Sequence, residues 1–210
     1  VKEDLSNCDI LMGVKEVKID TFINDKTYVF FAHVAKEQPY NRNMLLQMMQ
    51  QNITLLDYEY FTDEKGIRQV AFGKWAGIVG AYNAIRAEGL KNKYVNIKPA
   101  HDFKDKEELF DSFENIKLNP VKIAITGGGR VATGAIETLE GLKIKEVTPK
   151  EFLENTYSEA VYTKLEPWNY VEHKDNKEFD LQHFFQNPSE YESTFKPYTK
   201  VTDIYIPCHF

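Results

Sequence analysis

The chain has 210 residues, 42% of them hydrophobic and 13% aromatic, enough for one large or two small packed domains. Its 26 basic and 32 acidic residues leave a net charge of −6 without long single-sign blocks, which excludes an electrostatic footprint for nucleic acid or an anionic membrane. No window approaches the ~20 consecutive apolar residues of a membrane span, and nothing at the N-terminus reads as a signal peptide. A soluble, cytoplasmic protein that handles a small molecule is expected.

The first 90 residues alternate short apolar runs with helical patterns, the signature of a mostly parallel α/β sheet. Strands are expected at about 9–14, 27–32 and 53–58. Between the last two, Met44, Leu45, Met48 and Met49 recur at helical spacing and read as a core face. A turn at Gly66 follows, then a helix from about Lys74 to Glu88, whose Gly77 and Gly80 would let a neighbour approach closely. The polar stretch 96–120, with a helix around Lys104 to Phe113, reads as a join between two units.

After Pro120, "VKIAITGGGRVATGAIETLEGLKIKEVTP" supplies strand, glycine turn, helix and second strand, half of a mononucleotide-binding unit. From Ala160 to Pro197 the composition turns aromatic and acidic, with a short helix in "FDLQHFFQNPSEY" before a last strand, "TDIYIPC". The expected architecture is therefore two Rossmann-like parallel-sheet units: residues 1–95, a join at 96–120, and a partial dinucleotide-binding domain at 121–210. The chain opens on Val1 without a methionine and closes on a strand pattern with nothing after it. A buried parallel strand needs neighbours, so a fragment of a longer two-domain protein is expected.

The only cysteines, Cys8 and Cys208, lie at opposite ends and read as small buried hydrophobes. They offer no ligand spacing. His101, His173, His183 and His209 show none either and read as surface or packing residues, so no metal is expected.

In the glycine turn, Gly127 would make the tight bend and Gly129 would let the backbone approach a pyrophosphate. Ala132 would bring helix and strand together, and Arg130 is either a solvated helix start or a phosphate contact. The acidic ribose partner is expected near the end of the second strand, where Glu146 and Thr148 stand. The choice between NAD and NADP stays open.

Ligands of open parallel sheets bind beyond the carboxyl ends of the strands. Lys15, Glu16, His33, Asp57 and Glu59 all fall at such ends. Charged residues often end strands because loops are wet. Three consecutive strands that deliver lysine, histidine and acid to one edge point instead to proton transfer. Oxidising a carbon–nitrogen bond needs a base for the nitrogen's proton, and hydrolysing the imine needs acid–base help. Lys15 and His33 are the candidates.

Taken in order, "GVKEV", "FFAHVAKEQPYN" and "LLDYEYFTDEKGIRQVAFGKWAGIVGA" resemble the N-terminal domain of the alanine dehydrogenase and transhydrogenase superfamily. The continuation "K-x-Q-P-Y-N" is similar to the saccharopine dehydrogenase (lysine-forming) or lysine-oxoglutarate reductase branch. The resemblance implies an NAD- or NADP-dependent oxidation of saccharopine to lysine and 2-oxoglutarate in a cleft between the units. Alanine dehydrogenase, or a non-catalytic binding module, is the alternative. It implies Lys15 as base and His33 as acid–base. It also implies Gln38, Arg68 and Phe72 as substrate contacts, and Glu16, Lys36 and Glu59 as charge-tuning residues. Gly129 and Arg130 would contact the dinucleotide. Ile67 and Thr148 depart from the branch's pattern, so cofactor preference is not inherited. The partner implied is a small amino-acid substrate, with no nucleic acid and no membrane, and the sequence leaves an oligomer open.

Overall fold

A computed structural model describes residues 4–94 and 96–209. Val1, Val95 and Phe210, which bounded the expected domains, lie outside the described residues. The chain divides into two compact units, Val1–Ala71 and Phe72–Phe210.

In the first unit, β1 (Ile10–Met12), β2 (Thr27–Phe30) and β3 (Thr54–Asp57) form a parallel sheet in that order. Backbone pairing continues past β1, since Gly13 N–H donates to Val29 O and Phe31 N–H to Val14 O. Parallel strands put all their carboxyl ends at one edge, so the residues after Val14, Phe30 and Asp57 share it. Helix α1 (Arg42–Gln50) lies between β2 and β3 in the chain. Its Met44 and Met48 are buried with Phe22, Tyr28, Phe30 and Ala32. Leu45 and Met49 are exposed, against expectation. They stand about 100° round the helix from Met44 and Met48, outside the stripe that one sheet can cover.

The second unit begins with α2 (Gly73–Lys91) and α3 (Lys106–Asp111). Then come β4 (Lys122–Thr126), α4 (Arg130–Gly141), β5 (Lys145–Glu146), α5 (Pro149–Glu154) and β6 (Val161–Leu165). They are followed by α6 (Pro167–Tyr170), β7 (Val171–His173), α7 (Leu181–Gln186), β8 (Tyr191–Ser193), α8 (Lys196–Thr199) and β9 (Ile204–Pro207). The main sheet is parallel with order β5-β6-β4-β9, while β7 and β8 make a separate antiparallel pair. At its centre Ile123, Ala124 and Ile125 of β4 are fully buried.

Two placements differ from the sequence reading. Helix α2, expected with the first domain, packs on α4 in the second unit: a Cβ at Gly77 would lie 1.9 Å from Val131 O, and one at Gly134 1.9 Å from Lys74 O. These glycines let the two backbones interlock and bury Ala81 and Ile85 with Ile123, Ile125 and Ala132. Gly80 faces open space. Secondly, β5 does not neighbour β4; β6 takes that slot. Lys145 and Glu146 are exposed, unfit for a position covered on both faces, whereas Val161, Tyr162 and Leu165 are buried.

Among the described residues no helix is long and apolar enough to cross a membrane. Cys208 is buried as expected, but Cys8 is exposed, because it lies in the polar stretch before β1 with no element over it.

Candidate functional site

At the carboxyl edge of the first sheet, Asp57 is buried and clamps two strand ends with one carboxylate. His33 N–H donates to its Oδ2 (3.1 Å) and Glu59 N–H to its Oδ1 (3.0 Å). His33 adopts a left-handed backbone conformation (φ 55°), which turns the chain off β2 and into a short helical turn at Val34–Lys36. The imidazole is thereby brought to Glu59. Nδ1 lies 3.1 Å from Glu59 Oε2, and Asn41 Nδ2 donates to the His33 carbonyl at 3.5 Å.

Glu59 is buried, yet two cations and one imidazole reach it. Lys36 Nζ lies 2.9 Å from Oε1, Arg68 Nη2 contacts the same oxygen, and His33 holds Oε2. Burial alone pushes this carboxyl up; hydrogen bonds from Lys36 and His33, with the charges of Arg68 and Lys36, outweigh it and hold it at about 2. Glu59 is therefore an anion at any ordinary pH. Glu59 lies closer to Nδ1 (3.1 Å) than the Lys36 ammonium does (3.5 Å), and the nearer anion favours the proton on Nδ1 and leaves Nε2 as the ring's basic atom, an oriented acid–base arrangement.

The other expected residues are spread more widely. Lys15 is exposed and its ammonium lies 5.7 Å from the centre of the Phe31 ring, which in turn stacks on His33 at 6.0 Å. Phe31 thus links lysine and histidine, a role that its position inside an apolar run gave no sign of. Glu16 is exposed beside Lys15. Gln38 accepts from Tyr40 OH and lines a hollow of about 450 Å³ with Val34, Pro39 and Leu45. Phe72 caps α2 in the second unit.

In the second unit Gly127 has φ +103°, and a Cβ there would lie 2.7 Å from Cys208 O. Only glycine fits where β4 turns beside the exit of β9. Gly129 is the N-cap of α4, and a Cβ there would meet nothing within 4 Å among the described residues, which leaves room beside the backbone for a large anion. Arg130 opens the helix. A glycine bend, an open approach and the start of a twelve-residue helix fit the pyrophosphate of a dinucleotide.

The aromatic-acidic segment holds a third group, and here expectation needs correcting. His173, read as a surface or packing residue without ligand spacing, is buried in β7 and stacks on His183; Glu190 completes a trio whose ligand atoms lie within 4.8 Å of one another. His173 Nδ1 accepts the Asp175 N–H (3.0 Å), so the neutral ring carries its proton on Nε2, the atom 3.3 Å from Glu190 Oε2. A metal would need the lone pair that this tautomer lacks. His173 Nε2 is buried and makes no hydrogen bond among the described residues. His209 Nδ1 lies 3.0 Å from Thr126 Oγ1 at the tip of β4.

Comparison with known proteins bears out the resemblance drawn from the motifs. Residues 1–79 match the family model of the alanine dehydrogenase/PNT N-terminal domain. The mitochondrial alpha-aminoadipic semialdehyde synthase of Bos taurus is 30% identical over 225 residues, covering 95% of this chain and 24% of that protein. A saccharopine dehydrogenase (NAD(+), L-lysine-forming) of Neurospora crassa is 29% identical over 140 residues, covering 62% of this chain and 38% of that protein. Among solved structures an L-alanine dehydrogenase aligns with a TM-score of 0.40 at 18% identity, covering 75% of this chain and 43% of that one. The chain spans about a quarter of the length of the semialdehyde synthases that it matches.

Proposed function

We propose that this chain carries the acid–base site and part of the cofactor site of an NAD- or NADP-dependent oxidoreductase that acts on the CH–NH group of saccharopine, giving L-lysine and 2-oxoglutarate reversibly. The observation that carries the reading is the His33–Glu59 pair at the carboxyl edge of a parallel sheet, with Lys15 on the same edge. Likeness to saccharopine dehydrogenases supports the substrate.

Lys15 takes the proton of the secondary amine. NAD or NADP, when bound, would supply the hydride acceptor that lets the adjacent carbon form a double bond to that nitrogen. His33 Nε2 then takes a proton from the water that adds to that carbon and returns it to the departing nitrogen, and the freed imidazole takes the carbinolamine's hydroxyl proton as the carbon–nitrogen bond breaks to give lysine and 2-oxoglutarate. Glu59 stabilises the imidazolium between those steps. Arg68, Gln38 and Phe72 hold the substrate, while Glu16 and Lys36 set the local charge. Gly127, Gly129 and Arg130 receive the pyrophosphate.

Purified full polypeptide is expected to form reduced nucleotide in a saccharopine-dependent reaction. Lys15→Met should lower that turnover by at least about a hundredfold, the usual worth of a general base, and leave nucleotide binding unchanged. Turnover of alanine with none of saccharopine would overturn the substrate, and undiminished turnover in the Lys15 variant would remove that residue from the mechanism.

A further inference from the structure

We propose that Glu166 is the acceptor for the adenosine ribose hydroxyls of the bound dinucleotide, and that it sets a preference for NAD over NADP. This rests on the dinucleotide reading above and names the residue that chooses between its two cofactors. In doubly wound sheets the ribose acid stands at the tip of the strand beside the glycine-turn strand. Chain order points to β5, and so to Glu146 or Thr148. Hydrogen bonding decides otherwise.

Strand β6 pairs with β4 along its whole length, from Lys122↔Val161 to Thr126↔Leu165. The next residues on the two strands are Gly127 and Glu166, so Glu166 stands level with the start of the turn. Its carboxylate lies against that turn: a Cβ at Gly128 would be 3.4 Å from Oε2 and 3.7 Å from Oε1. Glu166 is pinned in place by Asn169, whose Oδ1 accepts its N–H and whose N–H donates to its carbonyl, both at 2.8 Å. Lys164 Nζ holds Oε1 at 2.5 Å, which leaves Oε2 as the oxygen nearest the glycines; the side chain keeps 25% of its surface open to solvent.

Glu146 lies one strand further out, and its carboxylate accepts from Tyr162 OH at 3.4 Å. A ribose diol brought to Glu166 donates two hydroxyls to an anion. A 2′-phosphate there meets a like charge, and Lys164 is already neutralised by the same carboxylate.

The test is fluorescence titration of the full polypeptide with NADH and with NADPH, alongside Glu166→Gln, Glu166→Asp and Glu146→Gln. NADH should bind at least about tenfold tighter than NADPH, the worth of one charged hydrogen bond. Glu166→Gln should erase that ratio by weakening NADH, while Glu166→Asp and Glu146→Gln keep it. Equal or tighter NADPH binding, or an unchanged ratio in Glu166→Gln, overturns the Glu166 assignment and leaves the dinucleotide reading intact. Binding of neither nucleotide by the unaltered chain overturns both.

Discussion

Glu59 has the buried carboxylate on which two half-exposed cations, Lys36 and Arg68, and the His33 imidazole converge, and this makes its charge a stability term as well as a mechanistic one. Its carboxyl sits at about 2 in the folded chain against an ordinary 4.5. A carboxyl depressed on folding adds stability that is complete above pH 4.5 and disappears as the pH falls through 2. The depression corresponds to about 3 kcal/mol, and hydration of the exposed ammonium and guanidinium partners reduces it to about 2. Glu59→Gln is expected to lower the urea unfolding free energy by that amount at pH 7. About two-fifths of the difference should remain at pH 3. A gap of constant size from pH 7 to pH 3 would show that packing, not charge, is what the substitution removes. Lys15, His33 and Glu59 were legible because each follows an apolar run, and a run's end is where a parallel sheet presents ligands-to-be. What joins them was not. The left-handed turn at His33 and the double acceptance by Asp57 depend on backbone direction, which no residue pattern at those positions encodes.

At the scale of elements, the α2–α4 crossing rests on backbone contact between helices, so its glycines are not interchangeable. Gly134→Ala would put a methyl 1.9 Å from Lys74 O, forcing the helices apart along their buried faces. A loss of about 2–4 kcal/mol is expected, in the range of severe overpacking. Gly80→Ala, in the same α2 but facing open space, should gain about 0.5–1 kcal/mol from helix propensity alone. Melting temperatures of the two variants should therefore move in opposite directions; a fall in both would mean that α2 is not seated as described. Sequence spacing identified α2 and α4 correctly as helices and flagged Gly77 as a contact residue. It could not separate Gly77 from Gly80, because glycine marks permission for contact rather than contact itself. Nor could it order β5 and β6. Chain order suggests that successive strands are neighbours, whereas burial of Val161, Tyr162 and Leu165 gives the inner position to the later strand.

Across the whole molecule, stability should follow how completely each strand is enclosed. Strand β4 has β6 on one side and β9 on the other, and Ile123, Ala124 and Ile125 show no exposed surface. Its run "KIAIT" was plain in the sequence, since nothing but a central strand buries so unbroken an apolar stretch before a glycine turn. By contrast "VYTKL" of β6 lay hidden in an aromatic, acidic stretch whose local composition outweighed its five residues. In the first unit β2 is the enclosed strand, while β1 stands at the sheet's margin with Ile10 60% and Met12 73% exposed. Amide exchange under native conditions should therefore be slowest at 123–126 and 162–165 in the second unit, and at 28–30 in the first. Residues 145–146 and 10–12 should exchange at least about a hundredfold faster than the protected strand of their own unit, because their bonds open by local fraying rather than by unfolding of a core. Protection of 10–12 equal to that of 28–30 would show that β1 is covered on its exposed face in solution, and the exposure reasoned from here would then be the wrong guide to that unit's stability.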